Sequence, residues 1–324
     1  MRAAPPADPV TCLAEGVDRL FEPLEIRGRR LRNRIVMPPM VANRGIVTPA
    51  GVAWYKAHAA GGVGLVIVEA TSVDGFRYLF SVEDLSRLAK AIHAGGALAA
   101  IQLFPGVREQ QVRPADLDRA RLEGLIEGCA SAAERCAEAG FDGIEVHGAH
   151  GFLLNQFFSL AANGRTDAYG GTLAGRMLLA VRISSAVRAA LPDDGLLLYR
   201  HTPVGEGYSL EESLELGAAL ADAGVDVLDL SPSSFRVPGD GAAPFRSLGV
   251  PVIAVNELDR VERAVEVLRE GRADLVAIGR GLIADPRWPV RTRAGKDARR
   301  CLHCDSCHGD LNAGRPVHCV LWRS

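Results

Sequence analysis

Short apolar runs alternate with longer amphipathic stretches through most of the 324-residue chain. The apolar runs are too short for helices and have the length of buried strands. Strands are predicted at Arg34–Met37, Gly64–Val68, Ala97–Leu103, Gly143–His147, Leu196–Arg200, Val227–Ser231, Val250–Val255 and Leu275–Ile278. Helices are predicted between them, near 50–61, 81–95, 117–139, 174–190, 209–223 and 257–270. Eight strands that alternate with helices in this way predict a (β/α)8 TIM barrel.

The two ends of the chain depart from this alternation. The N-terminus is rich in Pro and Ala, and Leu24–Leu31 predicts a hairpin that turns at Gly28. The alternation stops near Gly295, after which cysteines crowd the chain. The predicted divisions are a loose arm at 1–20, a barrel at 21–295 and a short C-terminal Cys-rich segment at 296–324. No G-x-G-x-x-G fingerprint follows the first strand, which disfavours a doubly wound sheet.

Composition and charge exclude several classes of function. The formal net charge is -2 and the isoelectric point is near 6.5, so no electrostatic argument favours nucleic acid or an anionic membrane surface. No window approaches the roughly 20 apolar residues of a membrane span, and the N-terminus lacks the apolar core of a signal peptide. We therefore expect a cytoplasmic protein that acts on a small-molecule substrate and binds neither nucleic acid nor membrane.

Polar side chains follow several of the predicted strands. In a (β/α)8 barrel, catalytic groups sit at the carboxyl ends of the strands. The fourth strand delivers His147 and, three residues later, His150 into a Gly-rich turn, where both imidazoles can meet in one pocket. The third and fifth strands bring the long polar side chains of Gln102 and Arg200, whose burial without a partner would cost a few kcal/mol. Each residue alone could equally be an ordinary core or rim residue, but together they indicate one site.

The last two strands carry a pattern typical of phosphate binding in barrels. The seventh strand leads into Asn256, and the eighth leads into Gly279 and Arg280, with a helix-like stretch behind them. Exposed backbone N–H groups at this position, together with the charge of Arg280, predict an anion site. A flavin-free barrel lyase that binds a sugar phosphate there stays open as an alternative.

Cysteines are concentrated at the end of the chain. The clustered ones are Cys301, Cys304, Cys307 and Cys319. A C-x2-C-x2-C run with one distant Cys supplies four thiolates, the usual complement of a [4Fe-4S] cluster. His303, His308 and His318 are interleaved with them, so a structural zinc is the rival interpretation, and a vestigial loop with free thiols is a third. The odd total of seven cysteines argues against a disulfide scaffold.

Five stretches occur in an order that resembles one enzyme family. They are Arg34–Met40 (RIVMPPM), Gly61–Ala70 (GGVGLVIVEA), Ile101–Leu103 (IQL), Phe141–Gly171 and Gly279–Arg280. Together they resemble the old yellow enzyme family of FMN-dependent oxidoreductases over nearly the whole chain. The turn at Val255–Asn256 and the cysteine tail are most similar to the branch of 2,4-dienoyl-CoA reductase and trimethylamine dehydrogenase, whose members carry one FMN and one [4Fe-4S] cluster.

The resemblance implies a role for each matching residue. The residues that would line the flavin are Pro39, Met40 and Ala70. The residues that would hold its phosphate are Asn256, Gly279 and Arg280. Gln102 would bond the pyrimidine edge of the ring and Arg200 would lie near N1, while His147 and His150 would polarise the carbonyl of an activated C=C substrate that exchanges hydride with flavin N5.

The source of the electrons is open in this interpretation. NAD(P)H would reduce FMN directly, or a separate electron-transfer protein would deliver electrons that the cluster relays. A homo-oligomer is compatible with the chain as well.

One residue departs from the family pattern. Family members that reduce alkenes usually place a Tyr proton donor two residues after the second His, where this chain has Phe152. Phe keeps the ring but removes the acidic O–H, so it cannot act as a general acid. Three alternatives follow. The proton comes from Tyr55, Tyr199, Tyr208 or water; or the enzyme runs a dehydrogenation or an unusual redox step; or the barrel is a non-catalytic flavoprotein subunit.

Overall fold

The computed structural model describes residues 16–106, 112–233 and 241–323. Most of the predicted N-terminal arm at 1–20 therefore lies outside the described residues, and the division into arm, barrel and tail stays a prediction. The described strands are β1 Leu24–Ile26, β2 Arg29–Leu31, β3 Ile35–Met37, β4 Leu65–Ser72, β5 Leu98–Phe104, β6 Gly143–Gly148, β7 Leu196–His201, β8 Val227–Leu230, β9 Val252–Val255 and β10 Leu275–Ala277.

Strands β3 to β10 form a closed parallel barrel in which β10 pairs with both β3 and β9. The predicted (β/α)8 TIM barrel is thus confirmed, and each of the eight predicted strands overlaps an observed one. Strand β4 runs to Ser72, beyond its predicted end, because it keeps pairing with β5 after a shift of register between Val68 and Thr71. The predicted hairpin is confirmed as the antiparallel pair β1–β2.

Helices surround the barrel. They are α1 Pro49–Ala60, α2 Val73–Tyr78, α3 Val82–Ala94, α4 Arg119–Glu138, α5 Leu153–Phe158, α6 Leu173–Ala190, α7 Leu210–Asp222, α8 Val261–Arg269, α9 Arg280–Ala284, α10 Trp288–Arg293 and α11 Ser306–Asn312. All six predicted helices are present. The helices outside the six predicted ranges have five to seven residues, too few to show a helical period.

Local chemistry sets several of the helix boundaries. Thr48 begins α1 by accepting a hydrogen bond from the backbone N–H of Gly51 over 3.1 Å. Ser209 and Glu212 form a reciprocal capping box at the start of α7. The predicted start of α8 at 257 was wrong, because Asn256 and Glu257 have φ values of 111° and 52° and cannot belong to a right-handed helix.

Alternate residues of each barrel strand point inward or outward, since successive side chains of a strand face opposite sides. The inward set forms a small apolar cluster that includes Ala100, Leu198, Val227 and Ile253. The same cluster contains Ile26 and Leu31 of the hairpin, which therefore close the amino end of the barrel. The carboxyl end is left for polar side chains. No described helix has the length and apolar character needed to cross a membrane.

Candidate functional site

A layer of buried polar side chains lies next to the apolar interior, at the carboxyl end of the barrel. Gln102, Glu145, Arg200 and Asp229 each follow an inward-facing position of their own strand by two residues, so they also face inward. All four are at least 93% removed from solvent, and Glu145 and Asp229 are 0% exposed. Strands β5, β6, β7 and β8 are consecutive neighbours, which brings the four side chains together.

Each long polar side chain of this layer is held by a carboxyl group. Gln102 Nε2 donates to Oε1 of Glu145 over 2.7 Å. Arg200 Nη1 donates to Oδ2 of Asp229 in a buried ion pair, and Arg200 Nη2 donates to Oγ of Ser231 over 3.0 Å. The predicted residues Gln102 and Arg200 are therefore oriented by two acidic residues.

Burial disfavours ionisation of both acidic residues. It raises the pKa of Glu145 well above its usual range, and the negative charge of Asp229 raises it further, while Arg200 opposes the shift. Burial also raises the pKa of Asp229, against the opposing effect of Arg200, to which it is directly paired. Glu145 is the more readily protonated of the two.

The two predicted histidines lie side by side at the end of β6. Their ring centroids are 5.5 Å apart, with an interplanar angle of 79°. The backbone N–H of Ala149 donates to His147 Nδ1 over 3.3 Å, which leaves the ring proton of neutral His147 on Nε2. Burial, followed by the nearby His150 and Arg200, holds the pKa of His147 well below its usual range. His147 is thus a neutral hydrogen-bond donor.

His150 is tied to the fold at its backbone and at its ring. Its φ of 60° lies in the left-handed region, and its backbone N–H donates to Oγ1 of Thr202 over 3.0 Å. Its Nε2 lies 2.9 Å from Oγ of Ser231, the oxygen that accepts from Arg200. Burial and then the charge of Arg200 lower the pKa of His150 to about 3. Both imidazoles are therefore neutral at physiological pH.

Aromatic rings form the outer wall beside the histidines. The ring of Phe152 meets that of Phe104 edge to face at a centroid distance of 5.0 Å and that of His147 at 5.1 Å. Phe152 is 43% exposed, whereas Phe104 is 7% exposed. The ring of Phe152 therefore stands at the mouth of the site and offers no O–H.

Of the three tyrosines weighed as substitute proton donors, Tyr55 and Tyr208 are hydrogen-bonded elsewhere and Tyr199 packs in the outer core. Tyr55 OH donates to Oε2 of Glu69 over 3.1 Å and accepts from the Glu69 backbone N–H. Tyr208 OH donates to the Thr202 carbonyl oxygen over 3.0 Å. Tyr199 lies between two inward-facing residues of β7 and joins the outer core, because strand residues alternate. These contacts keep the three phenols away from the imidazole pair.

A cavity of ≈ 270 Å³ adjoins the polar layer where β9 and β10 end. The predicted residues on its wall are Met40, Arg200, Asn256, Gly279 and Arg280. Pro38 lines it too, whereas Pro39, Ala70 and Gln102 are not among its lining residues. A Cβ added at Gly279 would lie 3.4 Å from Sδ of Met40, so glycine keeps this part of the wall open.

The tail packs against the same end of the barrel. The backbone N–H of Val317 donates to the Ala42 carbonyl over 2.9 Å, and Trp322 Nε1 donates to the Ile283 carbonyl over 2.9 Å. Cys307 and His308 line the cavity just described. The tail therefore completes one wall of the site.

All four tail cysteines line a second, smaller cavity, which shares Arg280, Ile283 and Cys307 with the first. Partial burial raises the pKa of the Cys301 and Cys307 thiols, and Arg280 acts in the opposite direction. Among the described residues no group of three or more His, Cys, Asp or Glu side chains is arranged to hold a metal ion. The cysteines thus surround a common space without meeting at one point.

Sequence reasoning missed Glu145, Asp229 and Ser231. Glu145 was passed over because it lay inside an apolar run, and Asp229 because it lay in the middle of a short strand. A signal was available: both are charged residues inside short strands that are buried and mainly apolar. Ser231 carried no comparable signal, since serine is common after a strand.

The chain matches the family model described as the NADH:flavin oxidoreductase / NADH oxidase family over residues 19–117, 107–235 and 245–298. It is similar to the NADH oxidase of Thermoanaerobacter brockii, with 34% identity over 342 residues that cover 88% of this chain and 52% of that protein. The chain thus spans about half the length of that relative. It is also 34% identical to the NADPH dehydrogenase of Geobacillus sp. (strain WCH70), over 83% of this chain and 92% of that protein.

Among solved structures, the 2-naphthoyl-CoA reductase complex with 2-naphthoyl-CoA superposes with a TM-score of 0.85 and 22% identity, covering 94% of this chain and 57% of that one. At this identity the similarity establishes the fold alone.

Proposed function

The chain belongs to the NADH:flavin oxidoreductase / NADH oxidase family, the old yellow enzyme family, and on that premise we propose that it is an FMN-dependent oxidoreductase acting on an activated C=C bond or its saturated equivalent. The observation that carries the proposal is the convergence of Gln102, His147 and Arg200 beside the cavity lined by Asn256, Gly279 and Arg280. NAD(P)H is the proposed reductant, because relatives are named for NADH and NADPH.

The polar layer fits the ring of a flavin. Gln102 makes one hydrogen bond within the described residues, so its amide oxygen and second N–H remain available to a ligand. An amide that offers one acceptor and one donor complements the imide edge of the flavin pyrimidine. Arg200 lines the cavity and brings the positive charge that a reduced, anionic ring requires.

The end of the cavity at β9 and β10 fits a phosphate. Asn256, Gly279 and Arg280 lie together on its wall. Arg280 supplies a guanidinium, which binds phosphate oxygens through charge-assisted hydrogen bonds. Met40 and Pro38 add apolar surface beside it. Pro39 and Ala70 remain proposed flavin neighbours on the strength of the family resemblance alone.

The histidines are the proposed binding groups for the substrate oxygen. When bound, FMN supplies hydride exchange at N5. His147 would donate its Nε2–H to a carbonyl or equivalent oxygen, and His150 would act beside it from 5.5 Å away. Neutral donors aimed at a developing enolate stabilise it electrostatically, an effect worth several kcal/mol. Because Phe152 has no O–H, Tyr55 and Tyr208 are hydrogen-bonded elsewhere and Tyr199 faces the outer core, water is the proposed proton source.

The tail is proposed to hold a [4Fe-4S] cluster through Cys301, Cys304, Cys307 and Cys319. Support comes from the thiol spacing and from the cavity that all four line next to the proposed phosphate site. Because Cys307 also lines the flavin cavity, the cluster would lie close enough to FMN to relay electrons. A separate electron-transfer protein then remains a compatible partner.

Rapid mixing under anaerobic conditions tests the proposal. We expect purified protein to contain FMN, to be reduced by NADH or NADPH, and to be reoxidised by a cyclic enone with formation of the saturated ketone. The His147→Ala/His150→Ala double variant should bind FMN normally and lose about 100-fold or more in reoxidation rate, as for removal of an oxyanion donor.

His93→Gln is the matched control, since His93 Nε2 bonds to Asp142 at the opposite end of the barrel. Protein without flavin would contradict the proposed cofactor. Reduced flavin that no enone reoxidises under anaerobic conditions would contradict the proposed reaction and favour a non-catalytic flavoprotein subunit.

A further inference from the structure

Beneath the proposed flavin site, Glu145 of β6 and Asp229 of β8 lie as a buried carboxyl pair. Each has one oxygen engaged by the polar layer, Glu145 Oε1 by Gln102 and Asp229 Oδ2 by Arg200. The other two oxygens, Glu145 Oε2 and Asp229 Oδ1, are buried and accept from no N–H or O–H donor among the described residues. Arg200 of β7 lies on the strand between them, and a side-chain hydrogen bond between the two carboxyls raises the pKa of Glu145 and lowers that of Asp229.

The charges of this group do not balance when both acids are ionised. The charged and titratable groups that face Glu145 are Asp229 from β8 and Arg200 from β7, and Gln102 from β5 is neutral. Two carboxylates and one guanidinium leave one uncompensated negative charge in a place with 0% exposure of either acid. Burying such a charge is far more costly than binding one proton.

A single proton between the acids resolves both observations. With this proton, the two unpartnered oxygens form one O–H···O hydrogen bond with each other. The combined charge of Glu145, Asp229 and Arg200 then becomes zero. The proton belongs on Glu145, since Asp229 is paired directly with Arg200 and is the better carboxylate. Like charges in contact produce this arrangement in other carboxyl pairs.

We propose that Glu145 is a permanently protonated positioning residue, which donates to Asp229 and holds the amide of Gln102 and the guanidinium of Arg200 in the orientation that FMN requires. The inference rests on the proposed function only for the identity of the ligand. Glu145 Oε1 can only accept from Gln102, so Nε2 must face it and the amide oxygen must face away. Asp229, as a carboxylate, fixes the guanidinium of Arg200 through their ion pair.

Carbon NMR of protein labelled with [5-13C]glutamate tests the proton itself, with or without bound flavin. We expect one Glu carboxyl signal at the position of a protonated acid from about pH 5 to about pH 9, a range in which ordinary Glu carboxyls are ionised. The signal should be absent from Glu145→Gln. If every Glu carboxyl signal of the wild-type protein has the chemical shift of a carboxylate at neutral pH, the proposal is overturned. This measurement uses the wild-type protein alone.

FMN binding to the apoprotein tests the positioning role. Glu145→Leu removes the acceptor for Gln102 and the donor to Asp229, so the dissociation constant for FMN should rise about tenfold, the size of one lost hydrogen bond of ordinary strength. Glu145→Gln keeps one acceptor and one donor without a charge, and should restore affinity to within about twofold of wild type.

If FMN binding is weakened equally in both variants, the ionised form of Glu145 is the one that matters. If FMN binding is weakened in neither, Gln102 needs no support from Glu145. Each result overturns the positioning role. A wild-type protein that binds no FMN contradicts the proposed function, while the NMR signal still decides the state of Glu145. The two failures are thus distinguishable.

Discussion

The hydroxyl oxygen of Ser231 lies 2.9 Å from Nε2 of His150, and it accepts a hydrogen bond from Arg200 over 3.0 Å. Ser231 follows β8 directly, so one side chain at a strand end connects the cation proposed to face FMN with an imidazole proposed to face substrate. Ser231 can donate its own O–H to His150 Nε2, the arrangement in which the ring proton of neutral His150 is on Nδ1.

Replacing Ser231 with alanine should weaken catalysis without removing the cofactor. Ser231→Ala frees the His150 ring, so we expect the rate of flavin reoxidation by an enone to fall about threefold to tenfold, the range of one buried hydrogen bond. Stopped-flow absorbance of the flavin measures this rate. Ser213→Ala is the matched control, because Ser213 Oγ bonds to the outward-facing imidazole of His201 over 3.0 Å. Equal losses in both variants would point to a general packing effect.

Restoring a phenol at the mouth of the site should change the pH dependence. Phe152→Tyr places an acidic O–H on a ring 5.1 Å from that of His147, and general acid catalysis typically contributes about 100-fold or more. We expect faster enone reduction, with a new decline near the phenol pKa of about 10. A pH–rate profile of the reoxidation step checks this. Phe152→Leu is the control, because it removes the ring without adding an O–H. A faster enone reduction in that variant as well would contradict a role for the phenol.

Buried neutral histidines should make stability depend on pH below neutrality. Burial lowers the pKa of His150 to about 3 and that of His201 to about 4, while unfolded histidine has a pKa of about 6.5. Between these values the unfolded chain binds more protons, so the free energy of unfolding falls as the pH drops below about 6.5. The loss approaches about 1.4 kcal/mol per pH unit for each such group.

Urea unfolding from pH 7 to pH 5 measures this slope. His150→Gln should have a slope shallower by about one proton, because glutamine keeps a polar group and does not titrate. A slope equal to that of the wild-type protein would show that His150 titrates normally in the folded state.

Removal of one tail thiol should cause loss of the metal while FMN stays bound. Cys304→Ser takes away one proposed cluster ligand, so the iron content of anaerobically purified protein should fall from about four atoms per chain toward zero, while FMN is retained. Iron and zinc analysis together with the visible spectrum measures this outcome. Cys129→Ala is the control, since Cys129 lies buried in α4 and away from the tail. Zinc in place of iron in the wild-type protein would support the rival metal site.

The chain alone was sufficient for the architecture and for the strand ends at which the candidate residues lie. Short apolar runs alternating with amphipathic stretches predicted all eight strands of the barrel, because the pattern reflects which faces must be buried. Strand ends of a parallel barrel share one face, so Gln102, His147 and Arg200 could be expected to lie together before any coordinates. The positive φ of Asn256 and Glu257, by contrast, gave no sequence signal and shifted the start of α8.

What holds those side chains was decided only by the tertiary structure. Glu145 and Asp229 reach Gln102 and Arg200 from neighbouring strands. Ser231, directly after β8, reaches His150 beyond the end of β6. Such partners depend on the register between strands that are far apart in the sequence, and a change of one residue in that register would turn each side chain to the other face. Sequence by itself therefore determined which strand ends carry the candidate residues. The closed barrel determined which of those side chains touch, which stay neutral and which point away.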